Sequence, residues 1–294
     1  MNLFSISQLS QFSGIKPHTI RVWEQRYNAL KPSRSEGNTR YYDNVQLRRL
    51  LNIVSLMNTE FKVSELCVMP DEKLFELINL QNGLLNINEP EEYFVSQLVA
   101  ASLSYDEGQF EKVFSHCLLR KGMKETYTNV IYPLLIRIGL MWSNDTAAPA
   151  HEHFISNLIK QKLYTVIDSL PVPKHGSIKW LLFLPENEHH DIGLLFANYL
   201  IRFSGQKVIY LGNNVPLSSL KEAVKDTKPD NLLFLLVHHD FARDTQNYLN
   251  QLNIDLVTSN VFIAGNQKLI GQLNIGNNIK CLKSVEDLSQ ILIS

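Results

Sequence analysis

The sequence predicts a multidomain α and α/β protein built from three consecutive parts. Three observations lead there: a basic N-terminal segment with helix and hairpin signals, four amphipathic stretches at helical spacing in the middle, and a C-terminal part in which apolar runs alternate with helix-like segments. At 294 residues the chain exceeds the usual size of one domain. The expected boundaries are 1–78, a polar linker at 79–92, a helical part at 93–172 and a mixed part at 173–294.

Composition narrows the class. Hydrophobic residues make up 45% of the chain, enough for sizeable cores. The start, MNLFSISQLSQFSG, lacks a basic stretch followed by a long apolar one, so no signal peptide is expected. No run of about 18 apolar residues suggests a membrane span. Cys67, Cys117 and Cys281 are far apart and form no CxxC pair, which fits a reducing cytoplasm better than disulfides or zinc. Net charge is −1, yet residues 1–50 carry eight Lys/Arg against three acids. A local cationic patch on a near-neutral chain is the electrostatic footprint of a nucleic-acid-binding module.

The elements of that module follow in order. Ser5 and Gln8 have capping-box spacing, Ile6, Leu9 and Phe12 recur at near-helical intervals, and Gly14 stops the helix. Pro17 suits the first turn of a second helix, PHTIRVWEQRY, with Ile20 and Trp23 inward and His18, Thr19, Arg21, Glu24 and Arg26 outward. A short helix, a tight turn and a second helix with polar groups at its start make a helix-turn-helix. Next, Glu36-Gly37-Asn38 reads as a hairpin tip between Arg34 and Arg40-Tyr41-Tyr42. Arginine and tyrosine on a hairpin beside a helix-turn-helix form a wing that can meet phosphates.

SISQLSQFSGIKPHTIRVWEQRY, the wing GNTRYYD and the helix VQLRRLLNIVSLM together resemble the MerR family of transcriptional regulators, over about residues 3–72. The resemblance implies a winged helix, not an enzyme, that binds double-stranded promoter DNA at an inverted repeat as a dimer, with the 17–27 helix in the major groove. Arg21, Arg40 and Tyr41 match family positions that contact DNA. His18 and Thr19 are candidates for base edges, because the start of a recognition helix reaches deepest. Trp23 and Tyr27 read as core.

The middle part contains EEYFVSQLVAASLS, EGQFEKVFSHCLLRKG, ETYTNVIYPLLIRIGLMWS and HEHFISNLIKQKLYTVIDSL, which predict a four-helix bundle. Trp142 ends one helix, Pro149 opens the next, and Glu152 and His153 fall in its first turn. An acid there is favoured by the helix dipole in any protein, so taken alone Glu152 reads as structural. The spacing Trp142-x9-Glu152-His153, however, resembles the helical cap of cobalamin-binding photoreceptor regulators of the CarH and LitR type. There these residues cover the upper face of the corrin and its adenosyl group. Ser143 departs from the light-sensing pattern, in which a histidine following the tryptophan ligates cobalt after photolysis.

From Ser177, the runs IKWLLFL, KVIYLG, NLLFLLV and VFIAG alternate with GLLFANYLIRFSG, LSSLKEAVKDT and FARDTQNYLNQL, and IKCLKS and VEDLSQILI close the chain. Buried strands interleaved with helices predict a parallel βαβ sheet, whose ligands bind beyond the carboxyl ends of the strands. LPENEHHDIG stands at the end of the first strand. Glu188-x-His190-x-x-Gly193 resembles the Asp-x-His-x-x-Gly loop of cobalamin-binding domains, which implies a flavodoxin-like fold with His190 as the cobalt ligand. Glu188 would hold the other ring nitrogen and Gly193 the close turn; alternatively, both histidines decorate a polar loop. The family's serine near the end of a later strand is absent from FLLVHHD, where Leu235, Leu236 and Val237 stand, and its Gly-Gly is Ala264-Gly265. The added methyl and lost hydroxyl imply weaker binding of the cofactor's nucleotide tail. His238-His239-Asp240 also ends a strand; a metal site from the two histidine pairs is disfavoured because adjacent residues of an extended chain point opposite ways.

The whole order implies a regulator, in this family a repressor, controlled by adenosylcobalamin and assembled as a dimer or tetramer. Cofactor loss with the C-terminal half kept for oligomerisation or for another ligand, and a corrinoid methyltransferase module, are the alternatives.

Overall fold

The computed structural model describes all residues except 1–3, 36–37, 58–59, 75, 78–90, 144–147, 238–241, 256–258, 277 and 294, and the backbone alone at 11, 44, 142–143, 242–244 and 253–255. It forms two compact units, Met1–Leu158 and Ile159–Ser294. The tip residues Glu36-Gly37, most of the 79–92 linker and the His238-His239-Asp240 doublet lie outside the described residues.

In the first unit, α1 (Ile6–Ser13) begins with both bonds of the Ser5–Gln8 capping box and ends at Gly14, whose φ of 72° is left-handed. Pro17 takes the first position of α2 (Pro17–Tyr27), whose inward residues Ile20 and Trp23 are buried. Tyr27 is half-buried. The wing is a two-stranded antiparallel ribbon, β1 (Ser33–Arg34) and β2 (Arg40–Tyr41), with Arg34 opposite Arg40. Phe4 pairs with Tyr42, tying the start of the chain to the ribbon. Asp43 caps α3 (Asn44–Leu56), and α4 (Val63–Val68) follows.

The helical part begins with α5 (Glu91–Ser104), then α6 (Glu107–Thr126), α7 (Tyr132–Ser143) and α8 (Pro149–Asp168). These are the four expected helices, with two irregularities. Gly122, at φ 73°, breaks α6 before its last turn. A π-turn, Tyr127–Ile131, precedes α7, and Pro133 accounts for it. Proline cannot donate to the ladder and its ring crowds the carbonyl four residues back, so the wider turn relieves the clash.

The second unit is a five-stranded parallel sheet: β3 (Lys179–Pro185), β4 (Lys207–Val215), β5 (Asn231–Leu236), β6 (Asn260–Gly265) and β7 (Ile279–Cys281), ordered β4-β3-β5-β6-β7. Between them run α9 (Ile192–Phe203), α10 (Leu217–Thr227), α11 (Ala242–Asp255) and a short α12 (Gln267–Ile270), and α13 (Val285–Ile293) closes the chain. In this unit α12 was not expected from the sequence. Alternation sorts the strand residues: Leu181, Phe183, Leu232, Phe234, Val261 and Ile263 share a core with Leu220 of α10, Leu249 and Leu252 of α11 and Leu269 of α12. Trp180 and Phe262, of opposite parity, stack at 5.4 Å between ring centres. The strand order is the flavodoxin-like one, and its topological switch point lies between β3 and β5.

Candidate DNA-reading face and cofactor loop

On the first unit, α2 and the ribbon present a polar face. His18, Arg21, Arg26 and Arg34 are exposed, whereas Thr19, Arg40 and Tyr41 are half-buried. Glu24 fastens the ribbon to α2: one carboxylate oxygen accepts from Arg40 Nε at 2.8 Å and the other from Tyr42 Oη at 2.8 Å. The carboxylate raises the Arg40 pKa through that hydrogen bond and its charge, and burial followed by Glu24 raises that of Tyr42. Glu24 was foreseen only as an outward polar group; its role as a clamp depends on where β2 lies, which local spacing does not reveal.

In the same unit, Glu152 and His153 occupy the first turns of α8. Their contacts are mutual or local: His153 Nδ1 lies 3.1 Å from Glu152 Oε2, and Ser156 Oγ donates to Glu152 Oε1. The His153 side chain is 73% exposed. Trp142 lies in the last turn of α7, where its backbone alone is described.

On the second unit, the loop between β3 and α9 is held from several sides. His190 Nδ1 lies 2.6 Å from Glu188 Oε1, which also accepts the backbone N–H groups of His189 (3.0 Å) and His190 (3.1 Å). Glu188 Oε2 accepts from the Val237 N–H at 2.8 Å, just beyond β5. The Glu188 carbonyl accepts from Asn214 N at 3.2 Å, and Asn214 Oδ1 accepts from Asn187 N at 2.9 Å. One buried carboxylate therefore joins loops at the ends of β3 and β5, across the switch point. The His190 side chain is 48% exposed and that of Glu188 only 6%. With Nδ1–H donated to the carboxylate, the imidazole carries its lone pair on Nε2, the form that ligates a metal. The donor set fits a corrinoid's cobalt.

Gly193 is the second residue of α9, and Asp191, at the N-cap, pairs with Lys160 Nζ at 2.6 Å instead of capping the helix. Gly265 has a φ of 123°, and a Cβ there would lie 2.1 Å from the Leu236 carbonyl oxygen. Backbone packing thus demands that glycine. Ala264 is half-buried on β6, and no hydroxyl stands at 235–237. The Val237 contact and the Lys160–Asp191 pair were not foreseen; both join residues far apart in sequence.

Comparison with known proteins agrees with these features. A family model described as MerR HTH family regulatory protein matches residues 4–67. One described as B12 binding domain matches residues 92–167. The chain is 27% identical over 252 residues to the HTH-type transcriptional repressor CarH of Myxococcus xanthus, covering 85% of this chain and 84% of that protein. Identity to the repressor CarA of the same organism is 28% over 229 residues, covering 76% and 73%. This chain joins a MerR helix-turn-helix to a B12-binding domain and is homologous to the CarH and CarA repressors. Among solved structures it resembles the monomethylamine corrinoid protein of Methanosarcina barkeri, with a TM-score of 0.54 and 14% identity over 68% of this chain and 97% of that one, a likeness of fold. Among the described residues no helix is long and apolar enough to cross a membrane.

Proposed function

We propose that this chain is a non-enzymatic transcriptional regulator, acting as a repressor, whose winged helix reads an inverted repeat in promoter DNA under the control of adenosylcobalamin. The observation that carries the reading is the Glu188–His190 pair, 2.6 Å apart, at the switch point of a sheet in a chain that also holds a MerR helix-turn-helix. His190 would hold cobalt through Nε2, with Glu188 fixing the tautomer and Gly193 the close turn. Trp142, Glu152 and His153 would cover the opposite face, and Ala264 and Gly265 would border the nucleotide tail. Bound cobalamin supplies a cobalt centre that takes an imidazole ligand and, in the adenosyl form, a light-labile upper bond.

On the DNA side, Arg21, Arg40 and Tyr41 would engage the backbone, while His18 and Thr19 reach base edges at the start of α2. Dimers or tetramers would present the paired heads, and cofactor binding need only change the relative stability of two assemblies. Ser143 would offer the cofactor no imidazole from the position after Trp142. The expected location is the cytoplasm.

The test is a visible spectrum of the purified chain mixed with adenosylcobalamin in the dark, desalted and then illuminated, with oligomer size measured alongside. Retained colour supports the reading, and a light-dependent change of size supports the switch. A colourless protein overturns cofactor control. It would favour the second reading, a cofactor-free oligomerisation platform, for which the absent hydroxyl at 235–237 and Ala264 speak. For DNA, Arg40→Ala should weaken binding to all sequences and reduce the salt slope by about one; an unchanged slope would remove Arg40 from the phosphate contacts.

A further inference from the structure

α5 is buried on every side. Tyr93, Phe94, Val95, Ser96, Gln97, Leu98, Val99, Ala101 and Ser102 are all inaccessible, although a helix on the outside of a bundle keeps a polar face. The extra cover comes from the DNA-reading module: α3 packs along α5, and α1 packs against α7. Two polar contacts fix this docking. In the first, Gln97 Nε2 donates to Ser55 Oγ at 2.7 Å, Ser55 Oγ donates on to the Leu51 carbonyl at 2.8 Å, and Gln97 Oε1 accepts from Gln109 Nε2 of α6 at 2.9 Å. Ser55 is wholly buried and Gln97 is 2% exposed. In the second, Arg137 of α7 grips both oxygens of Glu92, one at 2.6 Å, while the same Nη1 donates to the Phe12 carbonyl at 3.2 Å, at the end of α1. The exposed polar residues of α2, His18, Arg21 and Arg26, take no part.

We propose that this face of α1 and α3 is a docking joint through which the helical bundle sets the orientation of the DNA-reading helix. The proposal rests on the reading that the module binds DNA. Apolar packing alone tolerates sliding, whereas a buried, mutually satisfied Gln97–Ser55–Gln109 chain accepts one register. Because α5 contacts both α3 and α6, a rearrangement of the bundle changes the placement of the reading helix without altering the groups that touch DNA. Docking leaves α2 open, so the joint is a positioning device rather than a cover. Its effect falls on a site that two heads must engage together, where fixed geometry raises the effective concentration of the second head.

The test uses the full chain as wild type, Gln97→Leu, Arg137→Gln and the double variant. Their DNA is a two-armed sequence selected by the wild type from a random pool, and a single arm of it. Single-arm affinity should stay within about twofold, while two-armed affinity should fall by about tenfold or more in the double variant. Hydrogen exchange at 51–56 should quicken in step. Arg137→Gln alters a side chain at the edge of the contact, so it keeps the test decisive if Gln97→Leu fails to fold. Unchanged two-armed affinity despite quickened exchange overturns the joint. So does an equal loss on both DNAs, which would make these residues supports of the module's own fold. A wild-type chain that retains no DNA from the pool overturns the DNA-binding reading itself, and the joint with it.

Discussion

The two clusters that carry the cofactor proposal differ in how they are held. Glu188 and His190 sit in a loop fastened to the ends of three neighbouring strands, with the carboxylate buried and the imidazole half out. Glu152 and His153 sit on one helix turn, bonded to each other and to Ser156, with the histidine largely exposed and the glutamate half-buried. The first cluster is preorganised: its tautomer and ring orientation are set before any ligand arrives. The second gains its geometry only from what it meets. A ligand held by both should therefore draw most of its affinity from the first cluster and its discrimination between upper groups from the second.

Removing the ligand itself should break the comparison most sharply. His190→Ala should lower cobalamin retention by more than about 100-fold, beyond the 10–100-fold range usual for a residue that only supports a metal ligand. The check is colour retained after desalting, and an unaltered spectrum would place the cofactor elsewhere. Glu188→Gln should come next, within about 10–100-fold. The neutral amide accepts Nδ1–H less strongly and turns a donor toward the Val237 N–H, so the loop loosens from β5 as well. Nitrogen chemical shifts of His190 in the ligand-free Glu188→Gln variant should show a mixture of tautomers; a single Nδ1–H tautomer there would mean that Glu188 does not set it.

The same contrast explains what could be read from the sequence. The pair Glu188-x-His190 was legible because its partners are two residues apart. The strands and helices were legible because burial imposes period 2 or 3.6 along the chain. The capping box at Ser5, the left-handed stop at Gly14 and the Pro17 start were legible for the same local reason. Non-local contacts were hidden. Val237 reaches Glu188 only because β5 lies next to β3, Glu24 meets Arg40 only once the ribbon folds back, and Gln97 finds Ser55 from 42 residues away. The break at Gly122 shows a further limit: residues 107–122 were read as one helix ending at that glycine, and the chain instead turns there and resumes helix to Thr126.

The cluster on α8 should give a smaller and more selective effect. Glu152→Gln should change retention of a cobalamin with a small upper group by less than about threefold and of the adenosyl form by up to about tenfold, since a half-buried carboxylate adds roughly one charge-assisted hydrogen bond. Equal losses for both forms would show that Glu152 supports the bundle and not the upper group, and would erase the proposed division of labour.

The smallest expected effect is a pH dependence confined to the bundle. Burial lowers the pKa of His116, with Arg120 adding to the shift, and burial also lowers that of His151, only partly offset by the Ala148 backbone as an acceptor. His116 Nε2 and His151 Nδ1 are buried without a hydrogen-bond partner among the described residues, so burial of the charged ring is poorly compensated. In the unfolded chain these histidines titrate near the usual 6.5. Above that value both states hold neutral rings and stability is independent of them. As pH falls through 6.5 the unfolded state takes up protons that the folded state refuses, and stability declines until the folded pKa values are reached. The melting temperature should therefore drift down gently from pH 7.5 to pH 5.5. His116→Phe, which keeps a ring beside Phe94, should flatten part of that slope. An identical slope in the variant would shift the pH sensitivity to His151, whose ring stacks on Tyr105 at 4.7 Å one residue before Glu152. The bundle's acid sensitivity would then originate at the start of α8, the same turn that carries the weakly held cluster.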